Sequence, residues 1–224
     1  MTKIKEIFES VQGEGPYVGY KQIFVRLCNC NLKCNFCDTN FEPDEYFEDF
    51  TGKELVEYLN KKFDLKTIHS ISFTGGEPLL SIDFLKEFLH LKGNLKVYLE
   101  TNATLADKLA EIIDFVDIIS ADIKLESATG IKDTLKFHDK FFEIAKRKEC
   151  FAKIVFNKNI TNKEIENCCN LAKKHNLALI LQPETVKNKI NISSVFAQNI
   201  LDKFLQFYPN TRLIPQMHKF INLP

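Results

Sequence analysis

The sequence is poor in glycine and proline, with 8 and 7 among its 224 residues. That scarcity excludes collagen-like repeats and the low-complexity composition of a disordered chain. It also lacks an excess of charge: 30 lysines and arginines balance 30 aspartates and glutamates. Nothing in the bulk electrostatics therefore suits the chain to holding a nucleic-acid backbone. No apolar run approaches the ~18 residues of a membrane span, and Met1 to Glu6 carry no apolar core of signal-peptide length. A cytoplasmic protein with neither a nucleic-acid nor a membrane partner is expected. What is present is the 45% hydrophobic, 12% aromatic and 27% charged composition of a globular chain able to bury a sizeable core. A single domain over residues 1–224 is the expectation.

The cysteines carry the first functional signal. Seven of them without a secretory signal argue for metal or redox chemistry over a disulfide framework, because the cytosol keeps thiols reduced. Cys150, Cys168 and Cys169 lie in strand- or helix-like patterns and read as small buried hydrophobes. The other four cluster at Cys28, Cys30, Cys34 and Cys37, and the last three form a C-x3-C-x2-C run whose short loop brings three thiolates to one metal centre. Two chemistries fit. With Cys28 as a fourth ligand the run makes a structural zinc site, although two cysteines two apart at a strand end are hard to aim at one ion. Three thiolates on a four-iron cluster leave one iron open to a cofactor or substrate.

Strand-like segments rich in β-branched and aromatic residues fall at Gln22 to Leu27, His69 to Phe73, Leu95 to Leu99, Val116 to Ser120, Ala152 to Phe156 and Ala178 to Gln182. Helix-period segments alternate with them, and Thr51 before Glu54 and Thr161 before Glu164 have capping-box spacing. About six βα units with a parallel sheet predict an α/β fold curled into a partial, incomplete TIM-like barrel. In such folds the chemistry sits at the C-terminal strand ends. There the sequence places the cysteine loop, Thr74-Gly75-Gly76-Glu77-Pro78, Glu100-Thr101-Asn102, Ser120-Ala121-Asp122 and Gln182-Pro183-Glu184.

The cysteine triplet with Phe36 before its last member, together with Gly75-Gly76-Glu77-Pro78 after the next strand, resembles the radical S-adenosylmethionine superfamily. More narrowly, Val11-Gln12-Gly13-Glu14-Gly15, Phe24-Val25-Arg26-Leu27, Cys37-Asp38-Thr39, Pro215-Gln216-Met217-His218-Lys219 and the final Leu223-Pro224 resemble the 7-carboxy-7-deazaguanine synthases from end to end. The chain departs from that pattern at four places. Cys28-Asn29-Cys30 and Ala103 stand where glycines are usual, Ser120-Ala121-Asp122 replaces a Ser-Pro-Lys type segment, and Glu184 follows Gln182-Pro183 where a small or apolar residue is usual.

The resemblance implies conversion of 6-carboxy-5,6,7,8-tetrahydropterin to 7-carboxy-7-deazaguanine with release of ammonia, a carbon–nitrogen lyase reaction in queuosine and 7-deazapurine biosynthesis. It implies that Cys30, Cys34 and Cys37 hold a [4Fe-4S] cluster, that S-adenosylmethionine binds its open iron, and that Thr39 binds Mg2+. Cofactor contacts are expected from Phe36, Asp38, Gly75, Gly76, Glu77, Ser120, Asp122 and Gln182. Substrate contacts are expected from Val11, Gln12, Gly13, Glu14, Arg26, Thr74, Thr101 and Pro224. A flavodoxin- or ferredoxin-type electron donor and a homodimer are also implied. Chemistry of the residues agrees in part, since a planar guanidinium suits a carboxylate and an amide suits a pterin edge. Plainer readings stand beside these: a surface ion pair for Arg26, a salt bridge to Lys124 or a helix cap for Asp122, and a strand-to-helix turn for Gly75-Gly76-Glu77-Pro78. Ile214, Met217, Phe220 and Ile221 are expected to pack the chain end against the barrel. Its terminal carboxylate then either contacts substrate or merely covers the open side.

Overall fold

The computed structural model describes residues 1–35, 37, 47–186, 188–221 and 223. The strands are β1 (Thr2–Val11), β2 (Lys21–Leu27), β3 (Glu48–Phe50), β4 (Ser70–Gly75), β5 (Val97–Thr101), β6 (Ile118–Asp122), β7 (Glu149–Phe156), β8 (Ala178–Pro183), β9 (Thr185–Val186), β10 (Lys189–Ile190) and β11 (Thr211–Leu213). The helices are α1 (Gly52–Lys62), α2 (Ile82–Leu91), α3 (Ala106–Ala110), α4 (Glu126–Thr129), α5 (Leu135–Ala145), α6 (Asn162–His175), α7 (Ser194–Phe207) and α8 (Met217–Phe220). Among the described residues one sheet runs in the order β11-β8-β7-β6-β5-β4-β2-β1-β3. From β2 to β11 every neighbouring pair is parallel, while β1 runs antiparallel to β2 and β3.

The six expected strands are all present in a mostly parallel sheet with helices, consistent with the partial barrel; β2 leads into β3 and β8 into the β9–β10 hairpin before the next helix. Both capping boxes form: Thr51 Oγ1 accepts from the Glu54 N–H and Thr161 Oγ1 from the Glu164 N–H, with each glutamate reaching back to its cap. The sequence reading missed β1, β3, the β9–β10 hairpin and β11. Between β5 and β6 the helix-period segment is realised only as the short α3, followed by a 3-10 turn at Ile113–Phe115. No helix among the described residues is long and apolar enough to cross a membrane.

Alternate strand residues point to opposite faces, and here the two faces differ in chemistry. Ile23, Val25, Ile71, Phe73, Val97, Leu99, Ile119, Ile154, Leu179 and Leu181 are buried in one apolar core beneath the helices. Their neighbours Gln22, Ser70, Ser72, Ser120, Lys153 and Gln182 are buried on the inner face. Toward the strand N-termini that inner face is plugged by Tyr98, Ile118, Phe151 and Ile180, with Tyr17 and Ile214 against them. Above this plug Lys153, with Arg26, Thr74, Glu100 and Asp122 further along the same face, lines a cavity.

Candidate active site

The rim is assembled by two loops that dock on each other. After β2 the chain turns at Asn29, whose φ of +67° is left-handed, a conformation that asparagine tolerates better than most residues. Gly76 N–H then donates to Leu27 O at 3.0 Å and Glu77 N–H to Asn29 O at 2.9 Å. A Cβ on Gly76 would stand 1.7 Å from Asn29 O, and Gly75 has φ +110°. Both glycines are thus demanded by the cysteine loop beneath them, a reason independent of any cofactor approach. Glu77 is fully buried and receives the Thr101 hydroxyl at 2.9 Å, the Asn102 N–H at 2.7 Å and the Leu79 N–H at 3.1 Å. Burial pushes its carboxyl up to about 7 against those donors. It ties the loop after β4 to the loop after β5.

Ala103, where a glycine was expected, takes φ +57°. Its N–H donates to Thr101 Oγ1 at 3.2 Å, and its carbonyl accepts from His138 Nδ1 at 3.1 Å. His138 Nε2 in turn accepts the Lys124 N–H at 3.1 Å, so one buried neutral imidazole bridges the loops after β5 and β6. Burial lowers His138 to about 4.

Cys30, Cys34 and Cys37 line a cavity of about 450 Å³ together with Gly75, Gly76, Thr101, Asn102, Asp122 and Lys124. Asn102 Nδ2 stands 3.9 Å from Cys30 Sγ as a donor to the sulfur. Burial raises the Cys30 and Cys34 thiols, and the Lys124 charge opposes it in both. No three His, Cys, Asp or Glu side chains among the described residues are grouped around a single ion. The donor set, three soft sulfurs on one cavity wall, has the chemistry of cluster ligands. Cys28 is buried and stands outside the cavity lining.

The floor comes from Gln12 and Glu14, which follow β1, and from the inner face. Gln12 Nε2 donates to Glu100 Oε1 and to Gln22 Oε1, both at 3.0 Å, and Thr74 Oγ1 donates to Glu100 Oε2 at 3.1 Å. Burial raises the Glu100 carboxyl, and the Glu14 charge adds to it. Lys153 Nζ pairs with Glu14 Oε2, while Gln216 Nε2 donates to Glu14 Oε1 at 2.7 Å. Burial alone would raise Glu14, but the lysine charge and these donors hold it below the usual carboxylate range. Arg26 Nε donates to Glu6 Oε1 at 2.6 Å, and the guanidinium lies 5.6 Å from the Phe8 ring. Phe8 stacks on Phe24 at 5.2 Å as an aromatic wall.

Of the expected residues, Val11, Gln12, Gly13, Glu14, Arg26, Cys30, Cys34, Cys37, Thr74, Gly75, Gly76, Thr101 and Asp122 line this one cavity. Glu77, Ser120 and Gln182 are buried and stand outside its lining, although Gln182 Oε1 is a buried acceptor without a donor among the described residues. Phe36, Asp38, Thr39 and Pro224 lie outside the described residues. The ion pair expected as the alternative for Asp122 exists, with Lys124 Nζ 2.7 Å from Oδ2, and so does the Arg26 pair. The sequence analysis assigned no site contact to Lys124, Lys153, Glu100 or His218, yet all four line the cavity. Lys153 could have been found: it is a lone charge inside the apolar run Phe151 to Phe156. The chain end docks in part as expected. Ile214 packs on the plug, whereas Phe220 and Ile221 are exposed, and further contact is made by His218 packed on Gly13 and by Met217 N–H donating to Gly13 O at 2.8 Å.

The family model "Radical SAM superfamily" matches residues 25–182. The chain is 35% identical to a 7-carboxy-7-deazaguanine synthase of Geobacter sulfurreducens, over 98% of this chain and 97% of that one. It is 33% identical to one of Archaeoglobus fulgidus, over 97% of each. Among solved structures, QueE from Escherichia coli superposes with a TM-score of 0.66 at 19% identity, covering 97% of this chain and 94% of that one. Streptococcus suis SuiB, solved bound to S-adenosylmethionine, gives 0.59 at 19% identity, over 85% of this chain and 46% of that one.

Proposed function

Because the chain belongs to the radical SAM superfamily and, within it, to the 7-carboxy-7-deazaguanine synthases, we infer that its cavity converts 6-carboxy-5,6,7,8-tetrahydropterin to 7-carboxy-7-deazaguanine with release of ammonia. The observation that carries this reading is one cavity lined at the rim by Cys30, Cys34 and Cys37 and at the floor by Gln12, Glu14 and Arg26. Cys30, Cys34 and Cys37 would hold a [4Fe-4S] cluster, which together with S-adenosylmethionine would supply one-electron cleavage of a sulfonium bond. The protein's task is then to hold one substrate and exclude water.

Gln12 and Glu14 offer acceptors to the amino and N–H groups of a pterin edge. The Arg26 guanidinium, braced by Glu6 at Nε, offers its terminal nitrogens to the substrate carboxylate. Phe8 and Phe24 present a flat apolar wall beside it. Asp122, Lys124 and the orphan Gln182 Oε1 supply charge and an acceptor on the cofactor side. Thr39 would contribute a hydroxyl to Mg2+. The enzyme acts as a single domain over residues 1–224, as a cytoplasmic homodimer, and takes its electron from a flavodoxin- or ferredoxin-type protein.

Anaerobic metal analysis and cofactor cleavage test this. About four irons per chain are expected, with S-adenosylmethionine cleavage stimulated by the carboxylated pterin. One zinc without iron, or cleavage indifferent to the pterin, overturns the reading.

A further inference from the structure

Four ionisable side chains run across the cavity in alternating charge, from the Gln12–Glu14 floor to the cysteine rim. Glu14 pairs with Lys153, Lys153 stands 3.4 Å from Asp122 Oδ1, and Asp122 Oδ2 holds Lys124 Nζ at 2.7 Å. The links are unequal. Lys153 is bonded to Glu14, whereas Asp122 Oδ1 is a buried oxygen with no hydrogen-bond donor among the described residues. A buried carboxylate oxygen left short of a donor is costly, so the middle link has a clear direction in which to tighten. Lys153 has three N–H donors on a flexible stem, enough to engage both carboxylates. Both ends of the run open on the cavity.

We propose that Glu14, Lys153, Asp122 and Lys124 form a charge relay that couples occupancy of the pterin end to occupancy of the cofactor end, with Lys153 as its positioning residue. The relay rests on the functional reading above. Pterin N–H donors on Glu14 weaken its hold on Lys153. Lys153 closes on Asp122 Oδ1, and a doubly engaged Asp122 weakens its hold on Lys124. Lys124 lies beside Cys30 and Cys34, whose thiols feel its charge, and its ammonium turns to the carboxylate of S-adenosylmethionine. Binding at either end therefore strengthens binding at the other, by the same factor in both directions.

The test uses the anaerobic, cluster-loaded and unreduced protein, in which S-adenosylmethionine binds without being cleaved. Its dissociation constant is measured with and without saturating 6-carboxytetrahydropterin. Wild type should show tightening of about tenfold, within the usual range of coupling between sites. In Lys153→Met the tightening should shrink to within about twofold, because nothing competes with Lys124 for Asp122. Lys153→Arg guards against a misfolded methionine variant. Its fork spans both carboxylates at once, so affinity should be high without pterin and change little when pterin is added. Wild-type coupling retained in either folded variant, or none in wild type, overturns the relay. Turnover of the pterin by wild type is measured alongside. Turnover with the coupling untouched in the variants sinks the relay alone, whereas absence of turnover sinks the functional reading and the relay with it.

Discussion

The two faces of this sheet are built from alternate residues of the same strands, yet they follow opposite rules. Phe73 and Val25 on the helix-covered face are fully buried among apolar neighbours, where close packing sets stability. Thr74 and Arg26, one position along each strand, face the cavity, and their partners are the carboxylates of Glu100 and Glu6. The helix-covered face gains free energy by removing surface from water. The inner face keeps ionisable groups out of water, so each must find a partner; among the described residues Asp122 Oδ1 has the Lys153 ammonium at 3.4 Å but no hydrogen bond, and Gln182 Oε1 has no donor. Asp122 lines the cavity, and an unsatisfied acceptor there is what a ligand with donors completes.

The largest effect expected separates rim from core. Replacing Cys30, Cys34 or Cys37 with Ala should abolish the iron–sulfur absorbance and all turnover, since two thiolates do not retain the cluster. Cys28→Ala, at a buried position outside the cavity lining, should leave both intact. Loss of iron in Cys28→Ala with any one of the other three dispensable would reassign the ligands. Phe73→Ala should then break the apolar face alone. Its ring meets Phe88 edge-on at 4.9 Å, and its loss should cost about 3–5 kcal/mol of unfolding free energy. Pterin affinity of the folded fraction should stay at the wild-type value, and a matching drop in affinity would show that the two faces are not separable.

The buried imidazole between the loops sharpens the comparison through pH. His138 titrates near 4 in the fold and near 6.5 when unfolded. Between those values the unfolded state binds more protons, so this contribution to stability is complete above pH 6.5 and is lost as pH falls toward 4. It amounts to about 3 kcal/mol. His138→Gln offers a donor and an acceptor without titrating, and denaturant melts across pH 4–7 should lose that acid dependence. An unchanged profile would mean that the imidazole is not the group responsible. The smallest effect falls on the inner face. Arg26→Lys should weaken pterin binding by an amount on the order of 1.5–3 kcal/mol, as a point charge replaces a planar fork. Stability should shift by no more than about 0.5 kcal/mol, because the pair with Glu6 is partly exposed. Wild-type affinity in this variant would remove Arg26 from the pocket.

How much of this was legible in the sequence follows the same division. The rim was readable because its signals are contiguous: a cysteine run, a Gly-Gly-Glu-Pro turn and a Glu-Thr-Asn strand end each lie within a few residues. The floor was readable only in part: Gln12, Glu14 and Arg26 lie in short motifs near the N-terminus, whereas Lys153 and Gln216 lie far along the chain and join them only through the strand order. The six barrel strands were readable as apolar runs. β1 was missed because charged residues crowd it and its register slips between Ile4 and Glu6, which breaks the alternation. β11 was missed because it has only three residues. The glycine pair was legible as a turn at a strand end, but its nearest constraint, the backbone of Leu27 and Asn29, was not, because the sequence does not place those residues beside it.

The most direct measurement is the product of anaerobic turnover with 6-carboxytetrahydropterin, S-adenosylmethionine and a reductant, identified by mass and ultraviolet spectrum with ammonia quantified in parallel. The expected result is 7-carboxy-7-deazaguanine with ammonia in equal amount. Cleavage of S-adenosylmethionine by the iron-loaded protein with the pterin recovered unchanged would contradict it.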